Sequence, residues 1–558
     1  MSLLPVAAVI IVCASLLAQT SSPPASDKTA ERPAPPCVVS GRVVNALDGT
    51  PLKSARVALV PERPDSHHRV YAGTSDSDGQ FVIKDVEHGR YEFLATHPGF
   101  VDQHFEAKGD ERGATLSLKP GDKVSDVLFR MTVAAVITGR VTNDDGEAMV
   151  RVQVVALRAP NEDEMEDDPR PTPRKLELRP VSSAQTDDRG LYRIFGLKPG
   201  EYYLQVTDSS QPDPIGAASE SYQLQEFFGS EFASLYYPGV AQVSQAQTIS
   251  VKPGAEAQAD VAMRRVRTAE VAGHVVGLAG PSRDAFVELQ PQGADYGVRL
   301  NDTTDEKGNF RLKGVPPGSY VITVYQQVEG IGGYYEPRAR QKVEVAGDNI
   351  ESLTISLGLG ANLYGRVQVT GSGSLNLERI IVALQSTEED EQSCGPGRVK
   401  KDGTFEITAV PDGNYAVQIW GLEEKWFVKS MRFGADDVFR EGLQLEKGAS
   451  SGKLEITVSS ASAQLEGSVS DDDGAVIGAR VRVAPDPETP YNRFLSRSTR
   501  TDQAGHFSLV GLSLGKYRVS ARSPISSDGS SYQSEPKGVT LSENDHKTLS
   551  VKLIKPQD

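Results

Sequence analysis

Residues 74–93 read TSDSDGQFVIKDVEHGRYEF, and this stretch decides the fold because its pattern occurs five times without gaps. The other copies are QTDDRGLYRIFGLKPGEYYL (185–204), TTDEKGNFRLKGVPPGSYVI (303–322), RVKKDGTFEITAVPDGNYAV (398–417) and RTDQAGHFSLVGLSLGKYRV (500–519). Every copy has a glycine, an aromatic residue two positions later, a second glycine ten positions after the first, and then a tyrosine. In the first copy these residues are Gly79, Phe81, Gly89 and Tyr91. The pattern therefore predicts an internal repeat.

A second glycine-containing element precedes each copy and sets the repeat length. The elements are SGRVV, TGRVT, AGHVV, YGRVQ and EGSVS, with their glycines at Gly41, Gly139, Gly273, Gly365 and Gly467. We predict repeats 1 to 5 at residues 37–132, 133–266, 267–358, 359–459 and 460–558. Repeat 2 is longer because it carries an acidic, proline-rich insertion (161–175) and a second one around residues 223–240. We expect the acidic insertion to be a solvated loop.

Within each repeat the hydrophobic period is two, as in Ala55, Val57 and Leu59, which indicates strands with one buried face. The Asp-x-x-Gly sequence that opens the pattern is typical of a hairpin turn, in which the carboxylate accepts backbone hydrogen bonds. Repeat 4 departs from it, with Lys400 at the aspartate position and Asp402 beside the glycine. The predicted fold is all-β, a tandem array of five small antiparallel β-sandwiches of Ig-like or prealbumin-like type. Short connections between repeats predict an extended, semi-rigid rod.

The pattern G-x-V…A-x-V-x-L…T-D-x-x-G-x-F…G-x-Y resembles the carboxypeptidase regulatory-like domains, over essentially all of residues 37–558. These are transthyretin-like sandwiches related to Cna-B-type and starch-binding-like modules. The resemblance implies a fold and an extracytoplasmic setting, but it does not imply one activity.

Two chemistries that the resemblance brings to mind are not supported by the residues. Zinc carboxypeptidases need a His-x-x-Glu pair, and none of the eight histidines has a glutamate three positions later. Cna-B-type domains often carry a Lys–Asn isopeptide bond promoted by a glutamate. At the corresponding positions this chain has Ala95, Val206, Val324, Ile419 and Ala521. We therefore expect neither a peptidase centre nor this crosslink.

The first eighteen residues, MSLLPVAAVIIVCASLLA, are uncharged and mostly apolar, and a Ser/Pro-rich linker (19–36) follows them. They predict a signal peptide cleaved near Ala18, although no Lys or Arg precedes the apolar run. An uncleaved N-terminal anchor and an accidental apolar start are the alternatives. Val12 before Cys13 disfavours a lipoprotein signal. We expect an exported protein, periplasmic, on the outer surface or secreted, with no membrane span after cleavage.

Composition limits the class of partner. The chain has 59 Lys and Arg against 75 Asp and Glu, a formal net charge of −16, and 38% hydrophobic residues. These values suit soluble domains and exclude a polytopic membrane protein. Because the chain lacks a net basic charge, we expect no binding to nucleic acid. The remaining cysteines, Cys37 and Cys394, lie in different repeats and predict no disulfide framework.

No catalytic, cofactor-binding or metal site is predicted, and no cofactor. The acidic stretches Asp144–Gly146 and Asp471–Gly474 are read as turns, with calcium binding as the alternative. His67 and His68 are read as solvated rather than as metal ligands.

Aromatic residues outside the repeat pattern are the candidates for contact with a ligand. The four that we single out are Tyr236, Tyr237, Trp420 and Trp426; Phe227, Phe228, Tyr334 and Tyr335 share the property. Their rings could stack on sugars, as the starch-binding-like relatives imply, or they could simply pack. The leading hypothesis is a non-enzymatic, exported structural or interaction protein of the bacterial cell envelope. The alternative is a carbohydrate-binding protein. The partner would be an envelope protein or a polysaccharide.

Overall fold

The computed structural model describes most of the chain from residue 34 onward. The described residues are 34–62, 69–107, 113–166, 168, 178–208, 232, 234–241, 243–277, 285–292, 300–327, 335–357, 361–387, 396–423, 425–446, 452–524 and 531–554. The predicted signal peptide (1–18) and linker (19–36, except its last three residues) lie outside this part, as do Cys394, His67 and His68.

Repeat 1 is built from two facing sheets. Its strands are β1 (Cys37–Asn45), β2 (Arg56–Pro61), β3 (Tyr71–Thr74), β4 (Gln80–Val86), β5 (Gly89–Thr96), β6 (Gln103–His104), β7 (Thr115–Leu118) and β8 (Lys123–Met131). One sheet has the order β4-β1-β8; the other has the order β3-β2-β5-β6, with β7 also paired to β5.

Repeats 2 and 3 repeat this arrangement with different loops. Repeat 2 has β9 (Ala135–Thr142), β10 (Gln153–Arg158), helix α1 (Glu162–Glu166), β11 (Arg179–Gln185), β12 (Leu191–Leu197), β13 (Gly200–Thr207), β14 (Leu235–Tyr236), a 3-10 turn (Val243–Gln245), β15 (Ile249–Val251), β16 (Glu256–Gln258) and β17 (Val261–Ala262). Repeat 3 has β18 (Ala269–Val276), β19 (Ala285–Pro291), β20 (Leu300–Thr303), β21 (Asn309–Val315), β22 (Gly318–Gln327), β23 (Tyr335–Val345) and β24 (Ile350–Ser356).

Repeats 4 and 5 add strands that extend or join the sheets. Repeat 4 has β25 (Ala361–Thr370), a 3-10 turn (Leu377–Arg379), β26 (Ile381–Ser386), β27 (Gly397–Arg398), β28 (Thr404–Val410), β29 (Gly413–Trp420), β30 (Phe427–Phe433), β31 (Asp436–Asp437), helix α2 (Val438–Glu441), β32 (Leu443–Leu445) and β33 (Lys453–Ser459). Repeat 5 has β34 (Ala463–Ser470), β35 (Arg480–Pro485), a 3-10 turn (Arg493–Leu495), β36 (Arg497–Arg500), β37 (His506–Leu512), β38 (Gly515–Arg522), β39 (Gln533–Ser534), β40 (Lys537–Leu541) and β41 (His546–Ile554).

The predicted all-β class and the small, mainly antiparallel sandwiches are confirmed, with one pairing that periodicity does not reveal. In repeats 1 and 3 to 5, the first strand lies parallel to the last long strand, as in β1 with β8 and β34 with β41. In repeat 2, β9 pairs in parallel with the short strands β16 and β17. Neighbouring parallel strands run in one direction, so the chain leaves a sandwich at the end opposite to its entry.

The buried apolar residues form one main cluster within each predicted repeat. The clusters extend over residues 37–131, 135–263, 269–355, 363–458 and 463–553. Alternation along the strands produces them: Val57 and Leu59 of β2 are fully buried, whereas Arg56 is exposed. The residues that face inward on one sheet therefore pack on those of the other.

The first-strand glycine and the aromatic residue of the pattern are cross-strand partners in every repeat. Gly41 pairs with Phe81, Gly139 with Tyr192, Gly273 with Phe310, Gly365 with Phe405 and Gly467 with Phe507. A Cβ on Gly467 would lie 1.9 Å from the Leu549 carbonyl oxygen and 2.7 Å from the Phe507 ring. The glycine is needed because the ring and the neighbouring strand occupy the space of a side chain.

The tyrosine of each pattern closes the turn that precedes its own strand. Its hydroxyl donates to the backbone carbonyl four residues earlier in repeats 1 to 4, at 2.8 to 3.0 Å. The pairs are Tyr91–Glu87, Tyr202–Lys198, Tyr320–Pro316 and Tyr415–Pro411. In repeat 5, the Tyr517 hydroxyl lies beside the Ser513 side chain, also four residues earlier. This device resembles the tyrosine corner of other sandwiches.

The Asp-x-x-Gly turns form as predicted. The carboxylate of Asp305 accepts from the backbone N–H of Lys307 and Asn309 at 2.8 and 2.9 Å, and Asp76, Asp187 and Asp502 do the same in their repeats. In repeat 4, Asp402 accepts from Thr404 at 3.0 Å.

The structure contradicts the predicted extended rod, because repeat 5 lies against repeats 1 and 2. The side-chain amide of Gln503 accepts from the Ser117 N–H at 3.0 Å and donates to the Ser117 carbonyl at 2.7 Å. Asp502 forms an isolated parallel bridge with Thr115. A short connection restricts the angle at a junction without making it straight, so short connections alone do not predict a straight array.

The described part of the acidic insertion is ordered, not the solvated loop expected from its composition. Asn161 and Glu164 cap the start of α1 reciprocally. The Asn161 side-chain oxygen accepts from the Glu164 N–H at 2.9 Å, and the Glu164 carboxylate accepts from the Asn161 N–H at 3.0 Å. This is a capping box, with asparagine in place of serine or threonine. Contacts with repeats 2 and 5 hold the helix in place.

Candidate functional site

The two candidate tyrosines of repeat 2 lie at the core of that repeat. Tyr236 lies on β14, is 6% exposed, and packs beside Val155 and Leu157. Its hydroxyl accepts from the Gln205 amide at 3.5 Å, and burial raises the pKa of Tyr236 to about 12. Tyr237 is half-buried against the core of repeat 2. Sequence periodicity could not show this, because the strand β14 has only two residues.

The two tryptophans of repeat 4 have opposite environments. Trp426 is 3% exposed, and its indole N–H has no hydrogen-bond partner among the described residues. Trp420, the last residue of β29, is 53% exposed and pairs in register with Ile381. Tyr236 and Trp426 are both buried in this structure. Of the four residues that we singled out, Trp420 is the one with an exposed ring; Phe227, Phe228 and Tyr334 lie outside the described residues.

Both acidic stretches are turns: in the first, the Asn143 side-chain oxygen accepts from the Asp145 N–H at 3.0 Å, and in the second an aspartate carboxylate is the acceptor. The Asp471 carboxylate accepts from the N–H groups of Asp473 and Gly474 at 2.9 and 3.1 Å, and Asp472 pairs with Lys552 at 2.8 Å. In the described part of the chain, no group of three His, Cys, Asp or Glu residues is arranged to hold a metal ion.

The positions tested for an isopeptide bond lie within the cores. Ala95, Val206, Val324 and Ala521 are buried, and Ile419 is half-buried against the core of repeat 4. The Cys37 thiol is also buried and donates to the Lys119 carbonyl at 3.0 Å. These side chains have a packing role.

A junction between repeats 1 and 2 holds a site that sequence reasoning missed. Two adjacent cavities of about 530 and 470 Å³ share Val101, Asp102 and Lys198 in their walls. The first adds Arg130, and the second adds Tyr202. No pattern in the sequence marks these residues, because they come together only where loops of two repeats meet. Such a charged lining can hold water or a small polar molecule.

Arg158 and Arg179 also line the second cavity, and Glu164 of the acidic insertion partly neutralises their charge. Arg158 donates to both carboxylate oxygens of Glu164, at 2.9 and 2.7 Å, and Arg179 lies 3.7 Å from the same carboxylate. Burial opposes ionisation of Glu164, but the hydrogen bonds from Arg158 and Asn161 outweigh it and lower the pKa of Glu164. Glu164 is therefore a fixed anion that anchors α1 to its own repeat.

Comparison with protein families identifies the first and last repeats. Residues 38–127 and 464–554 match the carboxypeptidase regulatory-like domain, which confirms the resemblance that the repeat pattern indicated for these two segments. No curated protein matches the chain. Within the described residues, no helix is long and apolar enough to cross a membrane.

Solved structures that this chain is similar to include several pilins. The TIE protein of Bacillus anthracis is 13% identical, with 77% of this chain and 75% of that one covered, at a TM-score of 0.16. A streptococcal ancillary pilin is 10% identical over 57% and 99%, at 0.20. The major pilin subunit of Bacillus cereus is 10% identical over 76% and 100%, at 0.14. Because these TM-scores are low, nothing further about this chain follows from them.

Proposed function

We propose that this chain, whose first and last repeats are carboxypeptidase regulatory-like domains, is a non-enzymatic, exported structural or interaction protein of the bacterial cell envelope. It would consist of five sandwich units with the boundaries predicted from the repeat pattern. Its partner would be another envelope protein or a polysaccharide.

One observation supports a structural role above all: the glycine, aromatic residue and tyrosine that recur in every repeat, and the aspartate that recurs in four of them, serve folding. The glycine–aromatic pair joins two strands of one sheet, the aspartate holds a hairpin turn, and the tyrosine closes the next turn. A repeated enzyme or metal-binding module would repeat its reactive side chains as well. Here the repetition preserves a scaffold, and the residues that differ between repeats form its surfaces.

Cell fractionation tests the proposed location. The full chain should be recovered with the envelope or the medium, and a variant that lacks residues 1–18 should remain in the cytoplasm. Recovery of both forms in the cytoplasm would contradict export. Chemical cross-linking in intact cells, followed by mass spectrometry, would then identify an envelope partner by the residues that it contacts.

Carbohydrate binding is the second candidate, and the exposed ring of Trp420 favours it. An exposed indole face at the end of a strand can stack on a sugar ring. If this function holds, the full chain should bind a polysaccharide on a glycan array, and Trp420→Ala should abolish binding. Tyr364→Ala is the matched control, because Tyr364 is an aromatic residue of the same repeat with 50% exposure. Equal loss in both variants, or no binding by the wild type, would contradict it.

A further inference from the structure

Three arginines stand opposite one another on the outer face of repeat 5. Arg480 on β35 is the register partner of both Arg500 on β36 and Arg522 on β38. Like charges directly opposite on a sheet are unfavourable, yet Arg480 in the middle of this row is only 6% exposed. Burial of a cation is costly unless an anion accompanies it. The row is therefore built to receive acidic groups.

The acidic insertion of repeat 2 contacts this row at Arg480. Residues 162–168 read EDEMEDD, with six acidic side chains out of seven. The Glu166 carboxylate forms an ion pair with Arg480. The guanidinium of Arg493 donates to the backbone carbonyls of Asp168 and Met165, at 3.2 and 3.3 Å. Recognition thus involves the backbone as well as a charged side chain, and Asp168 itself is buried.

The same short helix is anchored on its other side to repeat 2. Glu164 binds Arg158 through two hydrogen bonds and lies near Arg179, so neighbouring acidic residues of α1 contact arginines of different repeats. Bidentate arginine–carboxylate pairs are strong and directional. The helix therefore connects repeat 2 to repeat 5 while the chain between them passes through repeats 3 and 4.

Overall charge does not explain this contact. Residues 460–558 contain twelve Lys and Arg and twelve Asp and Glu, so repeat 5 is balanced in a chain whose net charge is −16. The attraction depends on where the charges lie: Arg480, Arg500 and Arg522 stand side by side in repeat 5, and acids are concentrated in one insertion of repeat 2. Glu488 of repeat 5 lies 3.8 Å from Arg493 and neutralises only part of this positive charge.

We propose that the arginine surface of repeat 5 (Arg480, Arg493, Arg500 and Arg522) is a docking site for an acidic peptide, and that its occupant is the acidic segment (residues 161–166 and 168) of the same chain. Docking holds the array closed and keeps Gln503 on the edge strand β7 of repeat 1. Because the contact is ionic and only partly buried, salt weakens it. Loss of the contact opens the array without unfolding the repeats.

Sedimentation velocity on the full chain with reversed charges tests the proposal. Glu166→Arg and Arg480→Glu should each lower the sedimentation coefficient at unchanged mass, because the opened array has greater friction. The double variant Glu166→Arg with Arg480→Glu should recover the wild-type value, since it restores an ion pair of opposite polarity. The wild type in about 1 M salt, where the Debye length is about 3 Å, should sediment like the single variants.

Glu201→Arg is the matched control, because it makes the same charge change at an exposed position of repeat 2. It should sediment like the wild type. Three results would overturn the proposal. The first is an unchanged sedimentation coefficient in the single variants and in high salt, and the second is a double variant whose coefficient is no closer to the wild type than those of the single variants. The third is a wild-type dimer that Arg480→Glu dissociates. The last result would mean that the segment docks on a second copy. High salt on the wild type keeps the test independent of whether a variant folds.

Discussion

The glycine–aromatic pairs stabilise the individual sandwiches, whereas the contact between α1 and repeat 5 holds separate repeats together. The two kinds of contact use different kinds of residue. Each predicted repeat contains the same pair in the same register, as Gly41 with Phe81 and Gly467 with Phe507 show. The contact between α1 and repeat 5 uses Glu166 and Arg480, a pair with no counterpart in another repeat among the residues that the structure describes. Residues that repeat along the sequence are therefore the ones that stabilise each sandwich. The residues that arrange the units are found among those that do not repeat.

The largest loss of stability is expected for Gly467→Ala. Its new Cβ would lie 1.9 Å from the Leu549 carbonyl oxygen, so the backbone of β41 or the Phe507 ring must move. Overpacking of this kind costs about 3 kcal/mol. We expect hydrogen exchange, followed by mass spectrometry on the full chain, to show lost protection within residues 460–558 and unchanged protection in the other repeats.

Gly538→Ala is the control in the same repeat, because a Cβ there has nothing within 4 Å. It should leave protection unchanged. Equal protection in both variants would mean that the recurring glycine has no steric role. That result would contradict the claim that the glycine–aromatic pair stabilises each sandwich.

The next effect concerns the recurring tyrosine. Tyr320→Phe removes the hydrogen bond to the Pro316 carbonyl and should cost repeat 3 about 1 kcal/mol near pH 8. Burial raises the pKa of Tyr320 to about 12 from its ordinary 10.0. The unfolded chain therefore releases the phenolic proton first, and the stability contributed by this group is lost as the pH rises from 10 through 12.

The difference in stability between wild type and Tyr320→Phe should consequently shrink between pH 10 and 12, measured by hydrogen exchange or thermal unfolding. Tyr364→Phe, at an exposed position in repeat 4, should leave stability near pH 8 unchanged. A difference between wild type and Tyr320→Phe that stays constant across this pH range would contradict the assigned role of the buried hydroxyl.

The smallest effect is expected in repeat 4, which departs from the turn pattern. Lys400→Asp would supply the carboxylate that accepts two backbone N–H groups in the other repeats, but it would face Asp402. We expect a gain of about 0.5 kcal/mol, the difference between a new hydrogen bond and like-charge repulsion. Lys400→Asn, which adds the acceptor without the charge, should gain more. Destabilisation by both variants in thermal unfolding would show that this turn has adapted to lysine.

The sequence predicts the fold class, the turn aspartates and the resemblance of the first and last repeats to a known domain. It does so because the residues that carry these features recur along the chain. It does not predict the parallel pairing of first and last strands, since a period of two is the same in either direction. Nor does it separate Trp420 from Trp426, six residues apart, one exposed and one buried. Composition made the acidic insertion look solvated, because composition takes no account of the arginines that it meets in space.

Small-angle scattering of the full chain in low salt tests the closed array most directly. Five sandwiches of about 35 Å placed end to end would give a maximum dimension of about 175 Å. The contacts of repeat 5 with Ser117 and Glu166 predict a clearly smaller value. A maximum dimension at or above that of the end-to-end array would contradict the account.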